Sequence, residues 1–182
     1  MQTLCDQNVS TRPRRQRQGW RQLAAILGLA LIAVTTNGHS AQRETPTAGR
    51  DAFLRAIAEV ETGNNPRRVG RMGERGPYQF RAATWQQHTR QPFRDAHNPA
   101  IAHAVASRHY DWIMQQLERN GRPATPYMVA AAWNSGVTRV SSGRIPAASR
   151  DYAQRVVNLA SLWSPSIRAA SITGSAVRVA SN

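Results

Sequence analysis

The sequence predicts a mainly α-helical domain over residues 51–163, and three observations support this prediction. Apolar residues recur at spacings of three and four over residues 53–60, which is typical of one buried helix face. Asn98 and Thr125 are each followed by proline, and a capping residue before proline is a common start of a helix. No segment shows the alternation of a strand convincingly, although the loop over residues 70–80 leaves room for a small hairpin.

The first 41 residues have the features of an export signal. A basic stretch precedes an apolar run over residues 23–36, and small residues follow that run. The run is shorter than the ~20 residues of a membrane span, but it suits the apolar region of a signal peptide. We therefore expect residues 1–41 to be a signal peptide or an uncleaved signal anchor; a buried core helix is the competing interpretation. The domain would then be periplasmic or otherwise exported, and only an uncleaved signal would anchor it in the inner membrane.

Composition divides the rest of the chain into three parts. Residues 42–50 are rich in Pro, Thr and Gly and predict a linker, and residues 51–163 form the helical domain. Within that domain we expect a helix over residues 82–88 and a final helix capped by Ser149. Residues 164–182 are rich in Ser and Ala without a firm period, which predicts a flexible tail.

The composition argues against several kinds of site and partner. The chain has 24 basic and 10 acidic residues, a formal charge of +14, and one cysteine, Cys5. A single cysteine excludes a disulfide framework and a cysteine-based metal site. The histidines lack the spacing of a metal motif, so we expect no metal and no cofactor. We expect no nucleic-acid partner either, because the arginines are scattered and no recognition motif occurs.

Glu61 is an acid at an unusual position. It follows Ile57 by four residues and therefore belongs to the apolar face of the first predicted helix. Gly63 and Pro66 then end that helix. A carboxyl on an apolar face next to a glycine-rich loop suits a general acid, because partial burial raises its pKa. The alternative is an ordinary carboxylate at a helix end that faces water.

Three further segments are candidates for a site, and each has a simpler explanation. Residues 76–80 (GPYQF) are also an ordinary turn, and residues 133–136 (WNSG) are also common capping chemistry. Tyr152 lies on an apolar stripe of the last predicted helix, so by itself it is a core residue.

The order and spacing of these four features resemble the lytic transglycosylase domain, in the soluble-transglycosylase (goose-lysozyme-like) branch of the lysozyme-like superfamily. That family carries Glu-Ser on a first helix, then Gly-x-Met-Gln-aliphatic, then Ala-Tyr-Asn-x-Gly, and a late Tyr. The corresponding residues here are Glu61-Thr62, Gly76-Pro77-Tyr78-Gln79-Phe80, Ala132-Trp133-Asn134-Ser135-Gly136 and Tyr152. Thr62 keeps the hydroxyl of the family serine, and Tyr78 and Trp133 keep large side chains suited to a sugar groove.

The resemblance implies a lysozyme-like helical domain that acts on peptidoglycan glycan strands. It implies cleavage of the β-1,4 bond between N-acetylmuramic acid and N-acetylglucosamine, with Glu61 acting first as acid and then as base. The muramoyl 6-hydroxyl would then close a 1,6-anhydro ring without water. The residues implied to bind or orient the sugar are Thr62, Tyr78, Gln79, Trp133, Asn134 and Tyr152.

Two alternative functions remain open at this point. Glu74, in the glycine-rich loop, is placed to hold a water molecule, which would make the protein a hydrolytic muramidase. The same groove would also serve a non-catalytic peptidoglycan-binding protein, although pure binding gains little from a buried acid. The resemblance is also compatible with service to a secretion or conjugation apparatus.

Overall fold

The computed structural model describes residues 46–179, with side-chain positions for residues 47–172. All of them belong to a unit spanning residues 41–182. The described chain forms seven α-helices and one 3₁₀ helix, with no β-strand among these residues. In chain order they are α1 (Pro46–Thr62), α2 (Ala82–His88), the 3₁₀ helix (Phe93–His97), α3 (Pro99–Arg119), α4 (Pro126–Ser135), α5 (Val137–Ser141), α6 (Ala147–Trp163) and α7 (Pro165–Val179). The prediction of a mainly α-helical domain is confirmed.

Two of the predicted helix starts are present, and a third is wrong. Asn98 caps α3 by accepting hydrogen bonds from the backbone amides of Ala100 and Ile101. Thr125 caps α4 in the same way. Ser149 does not cap α6, because the helix begins two residues earlier, at Ala147, and Pro146 is its N-cap residue. The Ser149 side chain lies inside the domain and makes a different contact, described below.

The ends of the domain differ from the boundaries that composition suggested. Helix α1 begins at Pro46, inside the segment expected to be a linker. Helix α7 occupies residues where we expected a flexible tail, and Ile167 in its first turns is buried in the core. The Ser164 hydroxyl accepts a hydrogen bond from the Ile167 amide, which caps this helix. The predicted signal over residues 1–41 lies outside the described residues.

Helix α6 lies at the centre of the domain. It packs against α1, α4 and α7, and α3 packs against α1 and α4. Large side chains of α1 and α3, including Phe53, Ile57, Ile113 and Leu117, are almost fully buried between these helices. The last turn of α1 therefore has a fixed position relative to α6, and these two helices carry Glu61 and Tyr152. None of the helices in the described part is long and apolar enough to cross a membrane.

The loop over residues 63–81 connects α1 to α2 and contains a tight turn over residues 75–80. Arg75 and Phe80 exchange two backbone hydrogen bonds of 3.0 and 3.1 Å, and an isolated antiparallel bridge also joins Val69 to Arg75. Gly76, inside this turn, has φ +75° and packs against the backbone carbonyl of Ala96, where a Cβ atom would collide. Only glycine satisfies both conditions, so Gly76 sets how closely the turn approaches the 3₁₀ helix.

Candidate active site

A cleft of about 750 Å³ lies between the turn over residues 75–80 and helices α3, α4 and α5. Its lining includes Glu61, Glu74, Gln79, His109, Trp112, Trp133 and Asn134. The fold thus brings the end of α1, the glycine-rich loop and the end of α4 to one surface. Glu61, the turn over residues 76–80 and residues 133–136, which the sequence singled out, all contribute to this cleft. Tyr152, the fourth candidate, does not line the cleft but contacts Glu61.

Glu61 is joined to α6 by a hydrogen bond. The Tyr152 hydroxyl donates to Glu61 Oε1 at 2.8 Å, and the tyrosine side chain is only 4% exposed. Burial is the largest influence on the pKa of Glu61 and raises it, and the nearby Glu74 charge raises it further. The hydrogen bond from Tyr152 and the Arg155 charge lower it. The net pKa of Glu61 is raised, as a general acid requires. The Tyr152 pKa is raised well above its ordinary value by burial and by Glu61, so the phenol keeps its proton.

Glu74 is a second carboxyl in the same cleft, and its surroundings lower its pKa, whereas those of Glu61 raise it. Its Oε1 accepts a hydrogen bond from Arg81 Nε at 3.2 Å, and its Oε2 accepts one from the Met72 amide at 2.9 Å. Burial favours the neutral acid, but the backbone and Arg81 hydrogen bonds outweigh it, so the pKa of Glu74 is lowered. The cleft therefore holds one carboxyl with a raised pKa and one with a lowered pKa, a pattern that separates an acid from a carboxylate.

Gln79 lies in the cleft in an unusual backbone conformation. Its φ is 46°, in the left-handed region that residues other than glycine rarely adopt. Its side-chain amide donates to the Gly76 carbonyl at 2.8 Å and, at 3.4 Å, to the Arg68 carbonyl. Gln79 therefore stabilises the loop that borders Glu61. Its role in binding a sugar stays a prediction.

Asn134 lies at the end of α4, and a residue of α6 fixes its side chain. The Ser149 hydroxyl donates to Asn134 Oδ1 at 2.7 Å, and Ser149 is buried. This hydrogen bond orients the amide of Asn134, whose nitrogen has two hydrogens to donate to a ligand in the cleft. Sequence reasoning placed Ser149 at a helix start, so it missed this positioning contact.

Aromatic rings form one wall of the cleft. Trp133 packs edge-on against His109, with ring centroids 4.8 Å apart, and His109 stacks on Trp112 at 5.7 Å. Burial and the neighbouring His88 lower the pKa of His109 to about 3, so this ring is neutral and behaves as an aromatic surface. His109 and Trp112 were not predicted as site residues. Their only signal in the sequence is a three-residue separation on one helix.

Thr62 and Tyr78 have structural contacts that the resemblance does not describe. The Thr62 hydroxyl contacts the carbonyls of Ala58 and Pro77 at 3.2 and 3.3 Å, so it ties the end of α1 to the turn. The Tyr78 hydroxyl lies 2.9 Å from His103 Nδ1, and its side chain is 6% exposed. Burial raises the pKa of Tyr78 to about 12. Tyr78 borders the cleft, whereas Thr62 is not part of its lining. Their substrate-binding roles stay predictions.

The family model for the Transglycosylase SLT domain matches residues 40–154. This segment includes every predicted site residue from Glu61 to Tyr152. No curated protein matches the chain. Fold and site define a lysozyme-like catalytic domain. The chain belongs to the Transglycosylase SLT domain family, and it is a lytic transglycosylase that acts on peptidoglycan. Within residues 47–172, no group of three His, Cys, Asp or Glu side chains is arranged to hold a metal ion.

Tyr152→Phe tests whether the phenol positions Glu61. We expect turnover to fall about 10-fold, because the carboxyl loses the group that orients it. The free energy of unfolding should fall by less than about 1.5 kcal/mol, since the ring still fills the core. The Tyr152 bond lowers the pKa of Glu61, so the alkaline limb of the pH–rate profile should move to higher pH. An unchanged rate and profile would return Tyr152 to a purely structural role.

Proposed function

We propose that this enzyme cleaves the β-1,4 bond between N-acetylmuramic acid and N-acetylglucosamine and leaves a 1,6-anhydromuramoyl end. The observation that carries the proposal is the pairing of Glu61 with the Tyr152 hydroxyl at the edge of the cleft. A carboxyl with a raised pKa, held in one orientation by a buried phenol, is suited to protonate a glycosidic oxygen.

In this mechanism one carboxyl performs both proton transfers. Glu61 gives its proton to the bridging oxygen, and the bond from that oxygen to C1 of the muramoyl residue breaks. Positive charge develops at C1. The Glu61 carboxylate then takes the proton of the muramoyl 6-hydroxyl. At the same time the oxygen of that hydroxyl bonds to C1 and closes the anhydro ring. No water is consumed, and Glu61 ends protonated, ready for another cycle.

Hydrolysis is the second candidate, and Glu74 is the observation that favours it. Its lowered pKa keeps it ionised in the same cleft, so it could take a proton from a water molecule that attacks C1. However, its oxygens already accept hydrogen bonds from Arg81 and from the Met72 amide, and the lowered pKa that results makes Glu74 a weaker base. We therefore favour an electrostatic role, in which the Glu74 charge helps to raise the pKa of Glu61.

Product analysis on purified sacculi separates the two reactions. We expect the wild-type enzyme and Glu74→Gln both to yield anhydro ends, because the proposed reaction consumes no water and uses only Glu61 for proton transfer. The Glu74 charge raises the Glu61 pKa, so Glu74→Gln should move the alkaline limb of the pH–rate profile to lower pH. Reducing ends from the wild-type enzyme that disappear in Glu74→Gln would instead establish hydrolysis with Glu74 as base.

Other parts of the prediction concern the setting of the enzyme. We propose an exported, periplasmic location, on the basis of the basic and apolar pattern within residues 1–41. Service to a secretion or conjugation apparatus also stays a prediction. The raised pKa of Glu61 favours catalysis over binding alone.

A further inference from the structure

A second pocket, of about 360 Å³, adjoins the cleft at α5. It is lined by Thr138, Arg139, Ser142, Arg144 and Pro146. Arg139 also lines the cleft that contains Glu61, so the two spaces share a wall. A ligand that follows the cleft can therefore extend a branch into this pocket.

Four arginines surround the turn after α5, and two of them hold its backbone. Arg122 Nε donates to the Ser141 carbonyl at 2.8 Å. Arg150 donates to the Ile145 carbonyl at 2.6 Å. These contacts come from the residues after α3 and from α6, so they fix the turn relative to the core of the domain. The turn that borders the pocket is thus tied to the rest of the domain at two points.

The other two arginines face the pocket and have no acidic partner within the described residues. Arg144 donates from Nε to the Ser142 hydroxyl at 3.2 Å, which orients its guanidinium. Neither Arg139 nor Arg144 belongs to an ion pair of the described chain, and the pocket lining contains no carboxylate. The Ser142 hydroxyl donates to the Arg139 carbonyl at 3.1 Å, so it serves to hold the turn and Arg144 and not to bind a ligand. The two guanidinium groups make a site for an anion, with the planar geometry that suits a carboxylate.

We propose that this pocket binds a carboxylate of the peptide stem attached to the muramoyl residue, an inference that rests on the proposed function. The glycan backbone itself carries no charge, so a cationic pocket gains nothing from it. Carboxylates of the substrate come from two sources: the peptide stem, or the lactyl group that is exposed once the peptide is removed. A pocket set to the side of the cleft suits the peptide, because the stem branches away from the glycan.

Binding to three glycans distinguishes these sources. The protein is full-length and carries Glu61→Gln, so that binding is measured without cleavage. The probes are peptide-bearing strands, strands stripped of peptide by an amidase, and neutral chitooligosaccharides. Arg144→Gln should weaken binding of the peptide-bearing strands about 10-fold, the lower end of the range expected when one hydrogen bond to a charged group is lost. It should leave binding of the other two glycans unchanged.

Matched variants keep the test decisive. Arg90→Gln removes the same charge from an exposed residue that lines neither space, and it should change none of the three affinities. Arg144→Lys should retain part of the binding because the charge remains. If Arg144→Gln reduces folding, Arg139→Gln provides a second comparison. Because Arg139 also lines the cleft, its result is taken as the ratio of the affinities for peptide-bearing and stripped strands, which should fall.

Three outcomes would overturn the proposal. Loss of binding only on stripped strands would assign the pocket to the lactyl carboxylate, and equal loss on all three probes would assign it to the glycan or to the fold. No loss on any probe would mean that the pocket binds no part of the substrate. Because binding is measured without turnover, these results are independent of whether the wild-type enzyme produces anhydro ends.

Discussion

Glu61→Gln should lower the cleavage rate on purified sacculi by at least about 100-fold, the lower limit expected for loss of a general acid. Glutamine keeps the size of the side chain and can still accept the hydrogen bond from Tyr152. It cannot donate and recover a proton as a carboxyl does. The free energy of unfolding should be unchanged or slightly increased, since the substitution removes a carboxylate that burial disfavours.

Glu59→Gln is the matched control for this experiment. Glu59 is an exposed residue of the same helix, two positions before Glu61, and it does not line the cleft. The control loses the same formal charge, so it should keep wild-type turnover. A Glu61→Gln enzyme that cleaves sacculi at the wild-type rate, or an equal loss in both variants, would show that Glu61 is not the acid.

The sequence predicted those site residues whose signal lies within one helix, and it missed those that depend on a contact with another helix. Glu61 was identified because a carboxyl on an apolar face is unusual, and this required only the spacing from Ile57. Ser149 was misplaced because its partner, Asn134, lies on another helix. His109 likewise joins the cleft through its contact with Trp133 on α4. Pairwise contacts between helices do not appear in the periodicity of either helix.

The last helix shows a different kind of error, since the sequence did contain its signal. Ser164 is followed by Pro165, the same combination of capping residue and proline that correctly predicted the starts of α3 and α4. The prediction of a flexible tail rested on the Ser- and Ala-rich composition after residue 164 alone, and this cap was not considered. A short helix needs few large apolar residues when one of them, Ile167, packs into an existing core.

The motif residues Thr62 and Tyr78 show how a matching position can serve the fold as well as a ligand. Both hydroxyls are engaged within the protein: Thr62 with the Pro77 carbonyl, and Tyr78 with His103. A motif specifies where a residue lies along the chain, but the direction of its polar atoms depends on its neighbours. The turn beside Glu61 is therefore held by several motif residues together. Its position also depends on how closely it packs against the 3₁₀ helix.

Gly76→Ala should destabilise the domain by about 3 kcal/mol, the largest stability effect that we expect from a single methyl group here. The positive φ costs a residue with a Cβ about 1 kcal/mol. A Cβ at this position also collides with the Ala96 carbonyl, and overpacking of this kind costs about 2 kcal/mol. Because the turn must move, Gln79 and Glu74 should also shift relative to Glu61, and turnover should fall in the fraction that remains folded.

Gly73→Ala separates the two contributions. Gly73 lies in the same loop with φ +80°, but an added Cβ there meets no atom within 4 Å. This variant should therefore show only the conformational cost of about 1 kcal/mol and near-normal turnover. Denaturant unfolding of both variants measures the difference, which is the contribution of close packing between the turn and the 3₁₀ helix. Equal destabilisation of the two variants would mean that backbone conformation alone explains the glycine at position 76, and that contact with Ala96 does not hold the turn beside Glu61.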